Sequence, residues 1–477
     1  MESLLLLGLD FGSTTCSAMV ASARVVRNCT TGRMELGHSS IIYRSALALT
    51  PFAEDQIEEG AMAELLDHWI EESRVDPSAF ASGGAIITGL AAKKGNTASI
   101  EALVKHRVSD ALFATADDPC LESWLAFMGS CLGLSRAQPE SYFLNLDIGG
   151  GTTNLALGIN GDVLRTGCLL AGARHFQFVP GTYRIAGLSA YAARLLGDLG
   201  IQGIIGKSLS PEEIRRILDF YTDLIEAAVV GDRSRLDQES FRYHEQVPFT
   251  FPREAATPVI TFSGGVGALI YNQVRGGPPT ATTAFGDFGG ELAQRLIQSS
   301  VLSRDLRTHV PENLGHATVC GLSLHGTEVS GTTLYLPDPG VLPLRDLPVV
   351  ARVHMDASAD DVAPVVALAR RATRGACIEI EDGMVDFAAV KRLGSNLAAA
   401  LGQTPFPTGC PLVLFVPRNI GKTLGAYASD WGRLPVKLIV IDEMASRNAR
   451  FASVGAPRNN VVPVSFFGMH EVNKGLL

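Results

Sequence analysis

Short apolar runs alternate with amphipathic stretches along almost the whole chain. Runs at 4–9, 85–88, 142–147, 155–159, 259–262, 412–416 and 436–441 are the length of buried strands. Each soon gives way to glycine, proline or an acid, as a strand reaching a loop should. The clearest helical period lies at 210–230. Ser210 is placed to cap it, Pro211 suits the first helical position, and Glu213 completes a capping box. Ile214, Ile217, Leu218, Tyr221, Leu224, Ile225 and Ala228 share one face there, which marks this helix as scaffold. Further helices are expected over 268–274 and from a cap at Asp386 to 401. Strands alternating with helices predict α/β architecture.

With 477 residues the chain exceeds one compact core. Pro/Gly-rich breaks fall at 276–279 and 337–348, and a separate strand–helix–strand pattern follows the second. The expected division is 1–140, 141–337 and 338–477. Charged residues make up 19% and apolar residues 46%, which suits a globular protein and not a disordered one. The net charge of −9, with both signs interspersed, argues against a nucleic-acid partner. The 8 cysteines are scattered, with none at zinc-knuckle spacing, so buried thiols in a reducing cytoplasm are expected. The leucines at 4–7 follow Glu2 and meet Asp10, unlike a signal peptide, and no run is long enough to span a membrane.

One long-range similarity carries chemistry. Leu6-Leu7-Gly8-Leu9-Asp10-Phe11-Gly12-Ser13-Thr14-Thr15 matches Phe143-Leu144-Asn145-Leu146-Asp147-Ile148-Gly149-Gly150-Gly151-Thr152-Thr153. Each is an apolar strand, an aspartate, an apolar residue, then glycine and hydroxyls, before the chain turns apolar again. This pattern predicts a β-hairpin with a phosphate-sized turn, used twice. Glycine lets peptide N–H groups approach phosphate oxygens without an intervening Cβ. The hydroxyls of Ser13, Thr14, Thr15, Thr152 and Thr153 add donors, and Asp10 and Asp147 can hold Mg²⁺ through its water shell. A third segment, Pro258-Val259-Ile260-Thr261-Phe262-Ser263-Gly264-Gly265-Val266-Gly267, runs from a strand into glycines that can lie flat against a purine.

Other signals lead elsewhere. Gly421-Lys422-Thr423 resembles the end of a Walker A loop, but Val416 stands where that motif needs glycine. Ile270 likewise stands where a dinucleotide fingerprint needs its third glycine. No histidine pair has zinc spacing; His316 and His325 are candidates for a ligand or lobe contact, with ordinary core or surface roles as the alternative.

The three segments resemble the phosphate-1, phosphate-2 and adenosine motifs of the acetate and sugar kinase/Hsp70/actin superfamily. That resemblance implies actin/Hsp70-like, ribonuclease H-like duplicated lobes around an ATP cleft, with an additional C-terminal α/β region. Gly12, Gly149, Gly150, Gly151, Gly264, Gly265 and Gly267 and the hydroxyls above would then contact ATP, with Asp10 and Asp147 catalytic at the metal. Ile86-Ile87-Thr88-Gly89-Leu90-Ala91-Ala92-Lys93-Lys94-Gly95-Asn96, the stretches 317–331 and 342–349, Asn419-Ile420-Gly421-Lys422-Thr423-Leu424-Gly425 and Val461-Val462-Pro463-Val464 resemble the EutA family of ethanolamine ammonia-lyase reactivating factors. The chain departs from that family at Leu90, where an acid is usual, and over 450–455.

The family resemblance implies a chaperone with slow ATPase activity. Its partner would be ethanolamine ammonia-lyase, an adenosylcobalamin enzyme from which it removes damaged cobalamin, in the cytoplasm or a bacterial microcompartment. A homo-oligomer is left open. A small-molecule kinase and an actin-like scaffold are the other readings of the same fold; the kinase would need a general base, and Asp110, Asp117 and Asp118 in the first lobe read equally well as solvated loop acids.

Overall fold

The computed structural model describes residues 3–29, 32–53, 56–87, 96–108, 118–232, 234, 238–251, 256–381, 383, 386–445, 447–458 and 461–469. Thr88, the 88–95 part of the family-like segment with Leu90, Asp110 and Asp117 lie outside the described residues.

The first apolar run is the strand Ser3–Phe11, which turns back antiparallel onto Thr15–Arg27 with Asp10 opposite Ser17 and Phe11 opposite Cys16. Met34–Arg44 adds antiparallel outside that hairpin, and Phe80–Ile87 adds parallel on its other side. Every residue of Phe80–Ile87 is buried, so it reads as one unbroken apolar and small-residue run.

A second sheet repeats the plan. Tyr142–Ile148 pairs antiparallel with Thr153–Ile159, Asp162–Leu169 lies outside them, and Val259–Ser263 is the parallel fourth strand; Glu245–Val247 extends the edge. Strand order and sense agree with the first sheet, and Asp147 occupies Asp10's place, opposite Asn154. The sequence similarity is therefore a duplication of structure, as the actin-like reading expects.

The third sheet runs Thr327–Val329, Pro463–Met469, Ala449–Val454, Leu344–His354, Ala376–Glu381, Pro411–Phe415, Lys437–Ile441. Its last four strands are parallel and are joined by the helices Ala359–Ala369, Phe387–Gln403 and Gly421–Ala428, since parallel neighbours need crossovers. Its edge strand Thr327–Val329 comes from before the Pro-rich break at 337. The departing stretch at 450–455 lies mainly in the Ala449–Val454 strand.

Two helices tie the sheets together. Pro119–Ser130 packs on strands of the second sheet, and Ala317–His325 packs on the first. They cross through glycine: a Cβ on Gly129 would stand 1.9 Å from the Ala317 carbonyl oxygen, and one on Gly321 would stand 2.0 Å from that of Leu125. The helix Pro211–Val230 has its expected capping box, with Glu213 N–H donating to Ser210 Oγ at 3.2 Å and Ser210 N–H to Glu213 Oε2 at 2.7 Å. Asp386 caps Phe387–Gln403 by accepting from Ala389 N–H at 2.6 Å. No helix among the described residues is long and apolar enough to cross a membrane.

Candidate functional site

Both hairpin turns close alike. Gly12 N–H donates to the Thr15 carbonyl and Gly149 N–H to the Thr152 carbonyl, each at 3.0 Å. The two loops face each other closely, because a Cβ on Gly150 would lie 2.3 Å from Thr14 Oγ1. From behind, Thr50 holds the first loop: its Oγ1 donates to the Gly12 carbonyl at 2.7 Å and its N–H to the Thr14 carbonyl at 3.0 Å.

The loops border a cavity of about 350 Å³ between the two duplicated sheets. Asp10, Gly12, Ser13, Thr14, Thr15, Asp147, Gly149, Gly150, Gly151, Thr152, Gly264 and Gly265 all line it. Gly264 has φ +78°, and a Cβ there would stand 2.6 Å from the Ile148 carbonyl oxygen, so only glycine fits. The helix begins at Gly264 itself and runs to Val274, so the glycines form its first turn instead of a separate loop before 268. Leu269, Val266 and Ala268 continue this wall.

Two expected contacts fall elsewhere. Thr153 is fully buried and its Oγ1 donates to the Ala171 carbonyl at 2.6 Å, because the hairpin has already resumed its pleat there. Gly267, between the lining residues Val266 and Ala268, turns to another side of the helix, against Phe262. Asp118 caps the helix Pro119–Ser130: Oδ1 accepts from Leu121 N–H at 3.0 Å and Oδ2 from Met469 N–H at 2.7 Å. His316 Nε2 lies 3.0 Å from the Ser45 carbonyl, and burial lowers the His325 pKa to about 4. Gly421 N–H donates to Thr333 Oγ1 at 3.1 Å, so the Walker-like turn is filled by the chain itself.

The aspartates are electrostatically tense. Ser263 Oγ donates to Asp147 Oδ1 at 2.6 Å, and Asn145 Nδ2 donates to Ser263 Oγ at 2.8 Å, so Asp147 is held by a buried polar chain. Burial nevertheless pushes the Asp147 carboxyl up to about 6 against the opposing Ser263 bond. Burial, and then repulsion from Asp147, push Asp10 up to about 7, and Asp10 Oδ1 is enclosed without a hydrogen-bond partner. Two such carboxylates facing a glycine- and hydroxyl-lined cavity suit a hard divalent cation. Among the described residues no three potential ligand side chains cluster, so a cation there would complete its shell with water or ligand oxygens.

Sequence reasoning missed several lining residues. Glu122 enters from the first turn of Pro119–Ser130, and Asp287 from the segment before Gly289–Gln298. Asp287 is 2% exposed; burial raises its pKa, while Gly289 N–H at 2.9 Å and the Arg174 guanidinium at 3.7 Å oppose that rise. Exposed Leu47, Leu49 and Phe285 rim the mouth. None belongs to a local motif, so only the fold reveals them.

The chain is 28% identical over 485 residues to the ethanolamine ammonia-lyase reactivase EutA of Salmonella typhimurium, covering 97% of this chain and 98% of that protein. The reactivase of the same name from Escherichia coli is 28% identical over 488 residues, with the same coverage. Among solved structures, an exopolyphosphatase-like protein aligns with TM-score 0.38 and 16% identity over 68% of this chain and 86% of its own. EutJ from Carboxydothermus hydrogenoformans aligns with TM-score 0.30 and 16% identity, over 68% and 91%. The family model described as ethanolamine utilisation protein EutA matches residues 2–467, and this chain belongs to that family.

Proposed function

We propose that this protein is an ATP-driven reactivating factor for adenosylcobalamin-dependent ethanolamine ammonia-lyase, allowing damaged cobalamin to leave so that intact cofactor can enter. The observation that carries this reading is the pair of matched hairpins bringing Asp10 and Asp147 to one cavity in a chain of the EutA family. The names of its relatives from Salmonella typhimurium and Escherichia coli supply the partner. The lobes are taken as 1–140, 141–337 and 338–477, and the protein as cytoplasmic, within or beside a microcompartment.

In this reading the N–H groups and hydroxyls of both loops bind the ATP phosphates, and the Gly264–Gly265 wall lies against adenine. Asp10 and Asp147 hold Mg²⁺, largely through water, and the ion when bound neutralises phosphate charge. Glu122, a further acid lining the cavity, orients the attacking water and accepts its proton. Closure of the lobes over ATP changes the surface offered to the lyase, and differential affinity for two lyase states does the mechanical work. Slow turnover resets the cycle.

The test is ATP hydrolysis with and without the cobalamin-inactivated lyase, for the wild type and Asp147→Asn. Lyase-dependent turnover that is lost in the variant is expected. Turnover indifferent to both the lyase and Asp147 would refute the reading.

A further inference from the structure

The second phosphate loop is held by one short segment. Ala173 N–H donates to the Gly149 carbonyl at 3.1 Å and Arg174 N–H to the Gly150 carbonyl at 2.6 Å. The Gly151 carbonyl is met by a side chain, His175 Nε2, at 2.7 Å. Gly172 makes the approach possible, since a Cβ there would stand 2.4 Å from the Gly151 carbonyl carbon. Three consecutive loop carbonyls are thus taken by the segment 173–175. Among the described residues no backbone acceptor takes the N–H groups of Gly150 or Gly151, both of which line the cavity.

The imidazole is fixed by its other nitrogen. His175 Nδ1 lies 2.8 Å from Ser189 Oγ, and that oxygen also accepts from Ala192 N–H at 3.0 Å as the cap of the helix Ala190–Asp198. A carbonyl oxygen can only accept, so Nε2 carries the proton and donates to Gly151. In the neutral ring Nδ1 is then the acceptor, and the Ser189 hydroxyl donates to it. The ring is 1% exposed and packs against Tyr191 with centroids 4.3 Å apart, so it has little freedom to swing away.

We propose that His175 is a positioning residue for the nucleotide phosphates. As the Nε2–H tautomer fixed by Ser189, it ties back the Gly151 carbonyl and keeps the loop's peptide N–H groups aimed into the cavity. Thr50 Oγ1 does the same for the first loop at Gly12. This rests on the nucleotide-binding reading above. The physical reason is preorganisation: a peptide that must rotate before it can donate to an oxyanion loses part of that bond's strength. His175 touches no substrate and acts through Gly151.

The test is titration calorimetry of the full chain with ATP and Mg²⁺, and separately with adenosine, which lacks the phosphates. His175→Ala is expected to weaken ATP binding by about tenfold, the scale of one hydrogen bond to a charged group, and to leave adenosine affinity unchanged. His175→Gln, whose amide retains a donor, should recover most of the loss. Should His175→Ala fail to fold, Ser189→Ala loosens the ring while keeping it, and should weaken ATP binding in the same selective way. Equal loss for ATP and adenosine, or unchanged ATP binding in a folded variant, would overturn the proposal alone. No nucleotide binding by the wild type would overturn the nucleotide reading together with it.

Discussion

Replacing Gly321 with alanine puts one methyl group into the crossing of the two helices that tie the duplicated sheets together. That Cβ would stand 2.0, 2.7 and 2.9 Å from the backbone oxygen, carbonyl carbon and Cα of Leu125. Every neighbour is main chain, so no side chain can rotate away and the helices must part by more than 1 Å. Overpacking against unyielding atoms costs about 3 kcal/mol. Alanine's better helix propensity returns about 1 kcal/mol. The expected net destabilisation is therefore about 2 kcal/mol, read from the urea midpoint at constant m-value. Gly129→Ala makes the reciprocal clash, 1.9 Å from the Ala317 oxygen, and one separation relieves both. The double variant should thus lose clearly less than the sum of the single losses. Gly197→Ala is the control: its Cβ would meet nothing within 4 Å, so stability should hold or rise slightly. A Gly321→Ala protein as stable as the wild type, or strict additivity with Gly129→Ala, would refute this account of the crossing.

The raised aspartates set a pH dependence. Their folded pKa values of about 7 and about 6 lie above the ordinary aspartate value of 3.8, so the folded state binds more protons than the unfolded state. Stability of the metal-free protein should be fullest below pH ~4, fall as pH rises through ~6–7, and then level off. Asp10→Asn should flatten that fall, and urea midpoints in chelator at pH 5.5 and 8 decide it; a parallel slope in the variant would contradict the assignment. Glu122→Gln should bind ATP normally yet turn over about 10²-fold more slowly, the scale of general-base loss; unchanged single-turnover hydrolysis would remove Glu122 from the reaction. Thr153→Val should cost about 1–3 kcal/mol in urea unfolding by leaving the Ala171 carbonyl unpaired. An unchanged midpoint would contradict that role.

The duplicated hairpins were legible because their requirements are local. A buried strand, an acid at its end and a glycine turn occupy consecutive positions, and the two copies share register down to the bond closing each turn. The capping box at Ser210 was legible for the same reason. The hydroxyl run continues one residue after the strand has resumed, so pleating turns the Thr153 side chain to the Ala171 carbonyl, which the local pattern does not reveal. Gly267 is similar, since helical rotation turns it toward Phe262. Glu122, Asp287 and His175 had no sequence signal, because each reaches the loops from a distant segment. The same applies to Thr327–Val329, a strand only because Pro463–Met469 lies beside it. Gly129 and Gly321 are ordinary helix glycines until the two helices are superposed in space.

The most direct measurement of the central claim uses ethanolamine ammonia-lyase inactivated by bound cyanocobalamin. This protein, MgATP and fresh adenosylcobalamin are added, and return of ammonia formation is followed beside an Asp10→Ala control. The account predicts recovery that requires both ATP and Asp10. No recovery by a protein that demonstrably binds ATP would contradict it.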